Sequence, residues 1–282
     1  MESLNILIPT DFTVQAEYAY LMVKRLEEKI QVRTHFLHVL QVPDTVTMDA
    51  SGNIQTCGEI DTNYVLKQKD IAERKLSNLK SLYGDNIETH LVLGKTTDAI
   101  LDFSSSQQFD LIVMGTKGSW GIMETLSGTE TQIVARKSKT PVLSLMCDRS
   151  DLKIHNLLLV HNFSKPAKED TDLLHKLIKS FDTKVHMLQI STSKHPLVQT
   201  EVVSNMNKFA ELNNIINYEC HYLDDKDLES GVVHYNQMSD MDIICIGTHD
   251  KPGIFHTSET EKLINHLFKP IISFQFNTGV KS

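Results

Sequence analysis

Three glycines, Gly115, Gly118 and Gly128, sit in the stretch MGTKGSWGIMETLSGT (114–129), with two residues between the first pair and nine between the second. An apolar run, DLIVM, precedes them, and a helical pattern carrying Thr131, Val134 and Ala135 follows. A glycine at a strand exit lets the chain turn sharply and leaves room for another group's close approach, and Gly118 does the same one turn later. At Gly128 and Thr129 the unpaired N–H groups of a helix start, together with the Thr129 hydroxyl, face any anion placed there. Strand, loop and helix start in this order describe a cradle for a phosphate chain, to which Lys117 adds positive charge. The same glycines also suit a tight strand exit and a helix cap, and their spacing alone leaves both uses open.

The elements that must position this stretch follow from hydrophobic periodicity. Short apolar runs LNILIP (4–9), THFLHVL (34–40), ETHLVL (88–93), DLIVMG (110–115) and TPVLSLM (140–146) suit strands covered on both faces. Helical patterns lie between them: a stripe of Ala16, Ala19, Val23, Leu26 and Ile30, then helices near 64–83 (stopped by Gly84), 97–107 and 129–137. Such alternation predicts an α/β fold with a parallel, doubly wound, five-stranded sheet. After the polar stretch CDRSDLK (147–153) the pattern restarts, with LLLVHNFS (157–164) echoing ILIPTDFT (6–13) and VHMLQI (185–190) echoing HFLHVL. The chain therefore reads as two tandem domains, 1–147 and 152–277. Asn162 follows Asp11 by 151 positions, Gly247 follows Gly115 by 132 and Pro270 follows Pro141 by 129. The second copy has thus lost nineteen residues between its second and fourth strands and three more after the fourth. Both losses are expected in loops at the carboxyl edge of the sheet, where open parallel sheets bind ligands.

Composition narrows the partners. The 282 residues carry a net charge of −8, which disfavours a sequence-independent hold on nucleic acid and on an anionic membrane surface. Small soluble partners are favoured. The opening MESLNILIPTDF has no basic region and only a short apolar run, so it reads as a buried strand of a cytoplasmic protein. The four cysteines show no CxxC spacing, and the thirteen histidines form no HxH or HxxxH pair, so hydrogen-bonded core or rim histidines are expected and no metal ligands. The polar segment 42–66 leaves the same sheet edge as the glycine stretch and reads as a surface excursion placed to act as a lid. Trp120, the only tryptophan, lies within the glycine stretch as an apolar anchor for either a ligand or a neighbouring subunit.

GTKG followed nine residues later by GT resembles the G-x-x-G-(nine residues)-G-[S/T] signature of the universal stress protein family, in its ATP-binding form. TPVL is similar to that family's closing strand, and PTDF (9–12) looks like its first-strand end. The resemblance covers nearly the whole chain and implies two tandem domains of the adenine-nucleotide alpha-hydrolase-like type. It implies that Pro9, Thr10 and Asp11 line a nucleoside pocket and that Val39 sets backbone against the adenine edge. Met114, Gly115 and Gly118 would approach ribose and phosphates, and Gly128, Thr129, Glu130 and Thr131 would hold the phosphate tail. Mg²⁺ would then sit between phosphates rather than in a protein cage. The second copy has Asn162 for Asp11, His161 for Thr10, Asp250 for Gly118 and Thr257 for Gly128, so no ATP is expected there. In this family the last strands of two domains pair, which implies an internal pseudo-dimer and, beyond it, a homodimer. The chain lacks a GxxxxGK[ST] motif, an identifiable arginine finger and an evident nucleophile–base set, so at most slow ATP hydrolysis is expected. The implied role is nucleotide-responsive regulation in a stress response. Two alternatives stand beside it: an ATP-splitting or adenylating enzyme of a related fold, in which PTDFT replaces the SGGxDS-like loop such enzymes carry, and a scaffold that binds no nucleotide.

Overall fold

The computed structural model describes residues 2–49, 51–57, 60–84, 86–116, 130–248, 263 and 267–275. The first half runs β1 (Ser3–Pro9), α1 (Val14–Glu27), β2 (Gln31–Leu40), β3 (Val46–Met48), β4 (Ile54–Thr56), α2 (Thr62–Tyr83), β5 (Ile87–Leu93), α3 (Thr96–Ser106), β6 (Leu111–Gly115), α4 (Glu130–Lys137) and β7 (Val142–Leu145). The second half runs β8 (Asn156–Val160), α5 (Asp172–Phe181), β9 (Lys184–Ser191), α6 (Gln199–Leu212), β10 (Tyr218–Asp224), α7 (Leu228–Ser239), β11 (Ile243–Thr248) and β12 (Ile271–Gln275).

Each half forms a five-stranded parallel layer, in the order β7-β6-β1-β2-β5 and, mirrored, β12-β11-β8-β9-β10. The two layers fuse into one ten-stranded sheet because β7 and β12 pair antiparallel, with Ile271 opposite Ser144 and Ser273 opposite Val142. This is the meeting of TPVLSLM with KPIISFQF. Side chains reinforce the seam: Gln275 Nε2 donates to the Arg136 carbonyl at 3.1 Å, and Lys176 pairs with Asp110 at 2.6 Å.

The strands form where sheet burial demands it. Ile6, Leu7 and Ile8 are all fully buried, so successive side chains on both faces of β1 are covered, as in a parallel sheet flanked by helices. α1 packs its stripe of Ala19, Met22, Val23 and Leu26 onto one face. Ile30 lies beyond the end of α1 but is buried at 3% exposure, so it belongs to the core without belonging to the helix. Gly84, at φ 94°, ends α2 in a conformation that side chains resist, and this fixes the stop expected there.

One expectation is corrected. The residues missing from the second copy do not come from loops alone: α2 has 22 residues and its counterpart α6 has 14, a difference of about two turns. The remainder of the loss is the excursion after β2, which in the first half folds into the β3–β4 hairpin, with Val46 opposite Thr56 and Met48 opposite Ile54. Asp49 organises its turn: Oδ1 accepts from the Ser51 and Asn53 amides, each at 2.9 Å, and Gly52 takes φ 82°. Asp61 then caps α2, accepting from the amides of Asn63 and Tyr64 at 3.0 and 3.2 Å. A cap and a hairpin rather than bare loop explain why this segment holds a defined path.

In the second half, burial pushes the Glu169 carboxyl up to about 7 from its ordinary value of 4.5, and its Oε2 has no hydrogen-bond partner. The folded chain therefore holds a proton that the unfolded chain releases, and stability falls as pH rises from about 4.5 through about 7. We expect Glu169→Gln to raise the stability at pH 8 by on the order of 1–3 kcal/mol, seen as a higher unfolding midpoint, and to leave it unchanged near pH 4. Thermal melts at the two pH values check this.

Candidate functional site

Within the first half the winding direction reverses between β1 and β6, since β2 and β5 lie to one side and β7 to the other. Crossovers leave in opposite directions at such a point and open a crevice at the carboxyl edge. A cavity of about 580 Å³ lies there, lined by Pro9, Thr10, Asp11, Val39, Met114, Gly115, Glu130 and Thr131 among others. All eight of these were singled out from the sequence, and the structure brings them together. Gly118, Gly128 and Thr129, with Lys117 and Trp120, lie outside the described residues.

The cavity exists because β1 stops early. Its last rung is the Thr10 amide donating to the Leu37 carbonyl at 2.8 Å. The chain then turns away through Phe12, at φ 64°, a left-handed conformation rarely adopted by an aromatic residue. Three bonds hold it there. The Phe12 amide donates to Thr10 Oγ1 at 3.0 Å, and the Thr13 amide and hydroxyl donate to Asp11 Oδ1 at 3.0 and 2.5 Å. His38 Nδ1–H donates to the Thr10 carbonyl at 2.7 Å, and its ring lies 4.5 Å from that of Phe12, over which Lys75 also sits.

β2 continues where β1 has ended. In a parallel ladder alternate residues turn both backbone groups toward alternate neighbours. Leu37 accepts from β1, whereas Leu40 accepts from the Gly94 amide beyond β5 at 3.1 Å. By this alternation Val39 directs its N–H and C=O toward the β1 side, into the cavity. A donor and an acceptor side by side on an exposed strand edge match the hydrogen-bonding edge of a planar heterocycle.

The opposite wall is built on β6 and α4. Gly115 is required by packing: a methyl group there would meet the Gln15 carbonyl oxygen at 2.2 Å. Thr131 Oγ1 donates to the Gly115 carbonyl at 3.0 Å, which ties the first turn of α4 to the end of β6. The first described turn of α4, from Glu130, turns the positive end of the helix dipole toward this wall. The Thr116 hydroxyl is buried without a partner at the cavity wall. A contiguous cavity of about 540 Å³ continues over the first turn of α3, past Lys95, Thr96 and Thr97, and shares Gln41, Thr96 and Glu130 with the first. Gln41 Nε2 donates to Thr96 Oγ1 at 2.7 Å. Two helix amino ends thus face one space.

Sequence reasoning missed several lining residues: His38, Gln41, Tyr64, Gln68, Thr96 and Thr116. Tyr64 stands on the extra turns of α2 that the second copy lacks, and Gln68 directly follows them. The usable signal was positional, because each of the others lies near or just past the carboxyl end of a strand already recognised.

At the equivalent end of β8 the second half buries side chains of its own. Phe163, the counterpart of Phe12, is fully buried and packs edge-on to Phe209 at 5.2 Å. His161 is 3% exposed beside both rings, and Gln189 Nε2 donates to Asn162 Oδ1 at 3.3 Å.

A doubly wound α/β layer, repeated within one chain and carrying a polar crevice at its switch point, is a Rossmann-like architecture. The profile of the universal stress protein family matches residues 3–145, half of the chain, and the chain belongs to that family. Two universal stress proteins of Methanocaldococcus jannaschii are similar to it: one is 27% identical over 149 residues, 49% of this chain and 92% of that protein; the other is 25% identical over 139 residues, 49% of this chain and 79% of that protein. The crystal structure of a universal stress protein from Archaeoglobus fulgidus matches the fold with a TM-score of 0.74 at 17% identity, across 98% of this chain and 97% of that one. Both halves therefore share in the family architecture. No helix among the described residues is long and apolar enough to cross a membrane.

The packing of Gly115 gives a direct check. Gly115→Ala forces backbone apart, because the obstructing atom is a main-chain carbonyl, and we expect a loss of about 1–3 kcal/mol of stability in denaturant unfolding. Retention of wild-type stability would mean that α1 and β6 are not in this close contact.

Proposed function

We propose that the first half binds an adenine nucleotide, ATP with Mg²⁺, and that the protein acts as a nucleotide-responsive regulator in a stress response. The observation that carries this reading is the open edge of Val39 facing the same cavity as the amino ends of α3 and α4. The heterocycle takes the Val39 backbone, as a base pairs with a strand edge. Asp11, at the end of β1, takes the ribose hydroxyls through the carboxylate capacity left over from its turn. The phosphates lie toward Glu130 and Thr131 and the glycine stretch beyond. Among the described residues that line the main cavity there is no lysine or arginine, so the helix ends and a phosphate-bound Mg²⁺ carry the charge compensation. ATP serves here as a ligand rather than a rapidly turned-over substrate. The second half is read as binding no nucleotide, supported by the buried rings of Phe163 and Phe209 at the equivalent place.

Calorimetric titration tests the reading. The intact chain is expected to take up one ATP, with AMP weaker, and absence of any binding would remove the proposal. Asp11→Asn isolates the charge, because Asn162 shows that an amide accepts the same turn bond, from the Ser164 amide at 2.9 Å. We expect Asp11→Asn to melt near the wild-type temperature while binding ATP about tenfold or more weakly, the cost of losing a hydrogen bond to a charged group.

A further inference from the structure

The thirteen histidines show no metal-ligand spacing along the chain, yet the fold brings four of them together in pairs. His35 on β2 faces His90 on β5, and His186 on β9 faces His221 on β10. Each pair is joined by a glutamate two residues before the second histidine, Glu88 or Glu219. His186 follows His35 by 151 positions, the offset of Asn162 from Asp11, and Glu219 and His221 each follow Glu88 and His90 by 131. The two clusters are thus one cluster written twice. The nucleotide-pocket residues have diverged between the halves at Thr10, Asp11 and His38, whereas all three members of this cluster are kept.

We propose that each half holds a divalent transition-metal ion of borderline softness, represented by Zn²⁺, on His35 Nδ1, His90 Nε2 and Glu88 Oε2 in the first half and on His186 Nδ1, His221 Nε2 and Glu219 Oε2 in the second. Ligand distances of about 2.0–2.1 Å at a tetrahedral ion set the ligands roughly 3.3–3.4 Å apart. The separations found are 3.0 Å (His35–His90) and 3.5 Å (His35–Glu88) in the first cluster. In the second they are 3.1 Å (His186–His221), 3.6 Å (His186–Glu219) and 3.7 Å (His221–Glu219). A triangle of this edge needs little movement to close on an ion. The imidazoles are largely buried, while the side chains of Glu88 and Glu219 are 53% and 48% exposed, so the ion enters from the carboxylate side and keeps solvent in a fourth position.

The residue pair behind the first ligand is also repeated, bonded in the second half and unbonded in the first. His186 Nε2–H donates to Asn156 Oδ1 at 3.3 Å, which leaves the Nδ1 lone pair facing the cluster. The counterpart of Asn156 is Asn5, again 151 positions earlier. Asn5 Oδ1 and His35 Nε2 are both buried and without a partner, one an acceptor and the other a potential donor. Formation of that bond places the proton on His35 Nε2 and frees Nδ1 for a metal. Lys184 holds Glu219 by Oε1 at 2.5 Å, leaving Oε2 for the ion.

The full-length chain, stripped of metal and nucleotide and dialysed against Zn²⁺, is expected to retain two ions by elemental analysis and to melt at a higher temperature than the metal-free chain. Co²⁺ in its place should show the visible bands of a tetrahedral ion. His90→Gln and His221→Gln should each reduce the count to one. The double variant should bind none and gain nothing in melting temperature from Zn²⁺. Glu88→Gln and Glu219→Gln, at exposed positions that leave the core intact, should weaken their own sites about tenfold or more. Absence of Zn²⁺ uptake by the wild-type chain, or undiminished uptake by the double variant, overturns the proposal. None of these readings depends on ATP, so the nucleotide assignment stands or falls separately.

Discussion

β1 pairs with β2 through Pro9 and Leu37 and then leaves the sheet, while β2 runs on to Leu40. That single offset governs the crevice. Had β1 continued by two residues, the Val39 backbone would be paired, and the Asp11 carboxylate would lie along a strand instead of at its mouth. The turn that prevents this requires Phe12 in a left-handed conformation, offset by the hydroxyl of Thr10, the carboxylate of Asp11 and the ring contacts of His38 and Lys75. These are the residues that change in the second half, where Thr10 becomes His161 and His38 becomes Gln189. Phe163 then has no positive φ among the described residues and its ring enters the core. One turn, kept or released, separates a Phe12 held at positive φ from a Phe163 buried in the core.

The duplicated sheet places a second constraint on the molecule. Each five-stranded layer ends at its last strand with an unpaired edge, and such edges invite uncontrolled pairing. Fusing β7 to β12 removes two of the four edges by using one to cover the other. The fusion also explains why α4 is so firmly seated. Ser273 Oγ and Gln275 Nε2 reach the Ala135 and Arg136 carbonyls at its carboxyl end, while Thr131 ties its amino end to β6. A helix held at both ends presents its first turn to the crevice without needing to reorder when a ligand arrives, and that preorganisation favours affinity.

Most of the architecture was legible because buried parallel strands leave continuous apolar runs, and DLIVM, LLLV and HFLHVL have no other plausible use. The repeat was legible for the same reason, since both copies must satisfy the same burial. The helix near 64–83 was legible and is α2, whose first turn is set by the Asp61 cap; what the sequence did not show is that its counterpart α6 is about two turns shorter. The β3–β4 hairpin hid behind polar composition, and its register is set by Asp49, whose role is local hydrogen bonding. In the crevice, residues on strand ends could be placed from the sequence, whereas Tyr64 and Gln68 depend on where a long helix begins. The His–Glu–His clusters were invisible for a topological reason. Their members are 53 to 55 positions apart in the first copy and meet only because β2 and β5 are neighbours in register, with His35 opposite Glu88.

Those clusters sit where the remaining edges are. After β7 and β12 have covered one another, β5 and β10 are the outermost strands of the sheet, and each is joined to its inner neighbour by the histidine and glutamate side chains of one cluster. Backbone pairing on an edge strand comes from one side only, so a cross-strand side-chain contact contributes a larger share of its attachment than it would at the centre. Without a metal that contact is a hydrogen bond between two imidazoles, with the ring of Phe103 or of Tyr235 against the outer one. An ion bound by both strands couples metal binding to edge-strand order, because the three ligands converge only when β2 pairs with β5, or β9 with β10, in register. β5 leads through Gly94 into α3, whose first turn lines the crevice. Order at the edge and order at the crevice wall are therefore carried by the same strand in the first half.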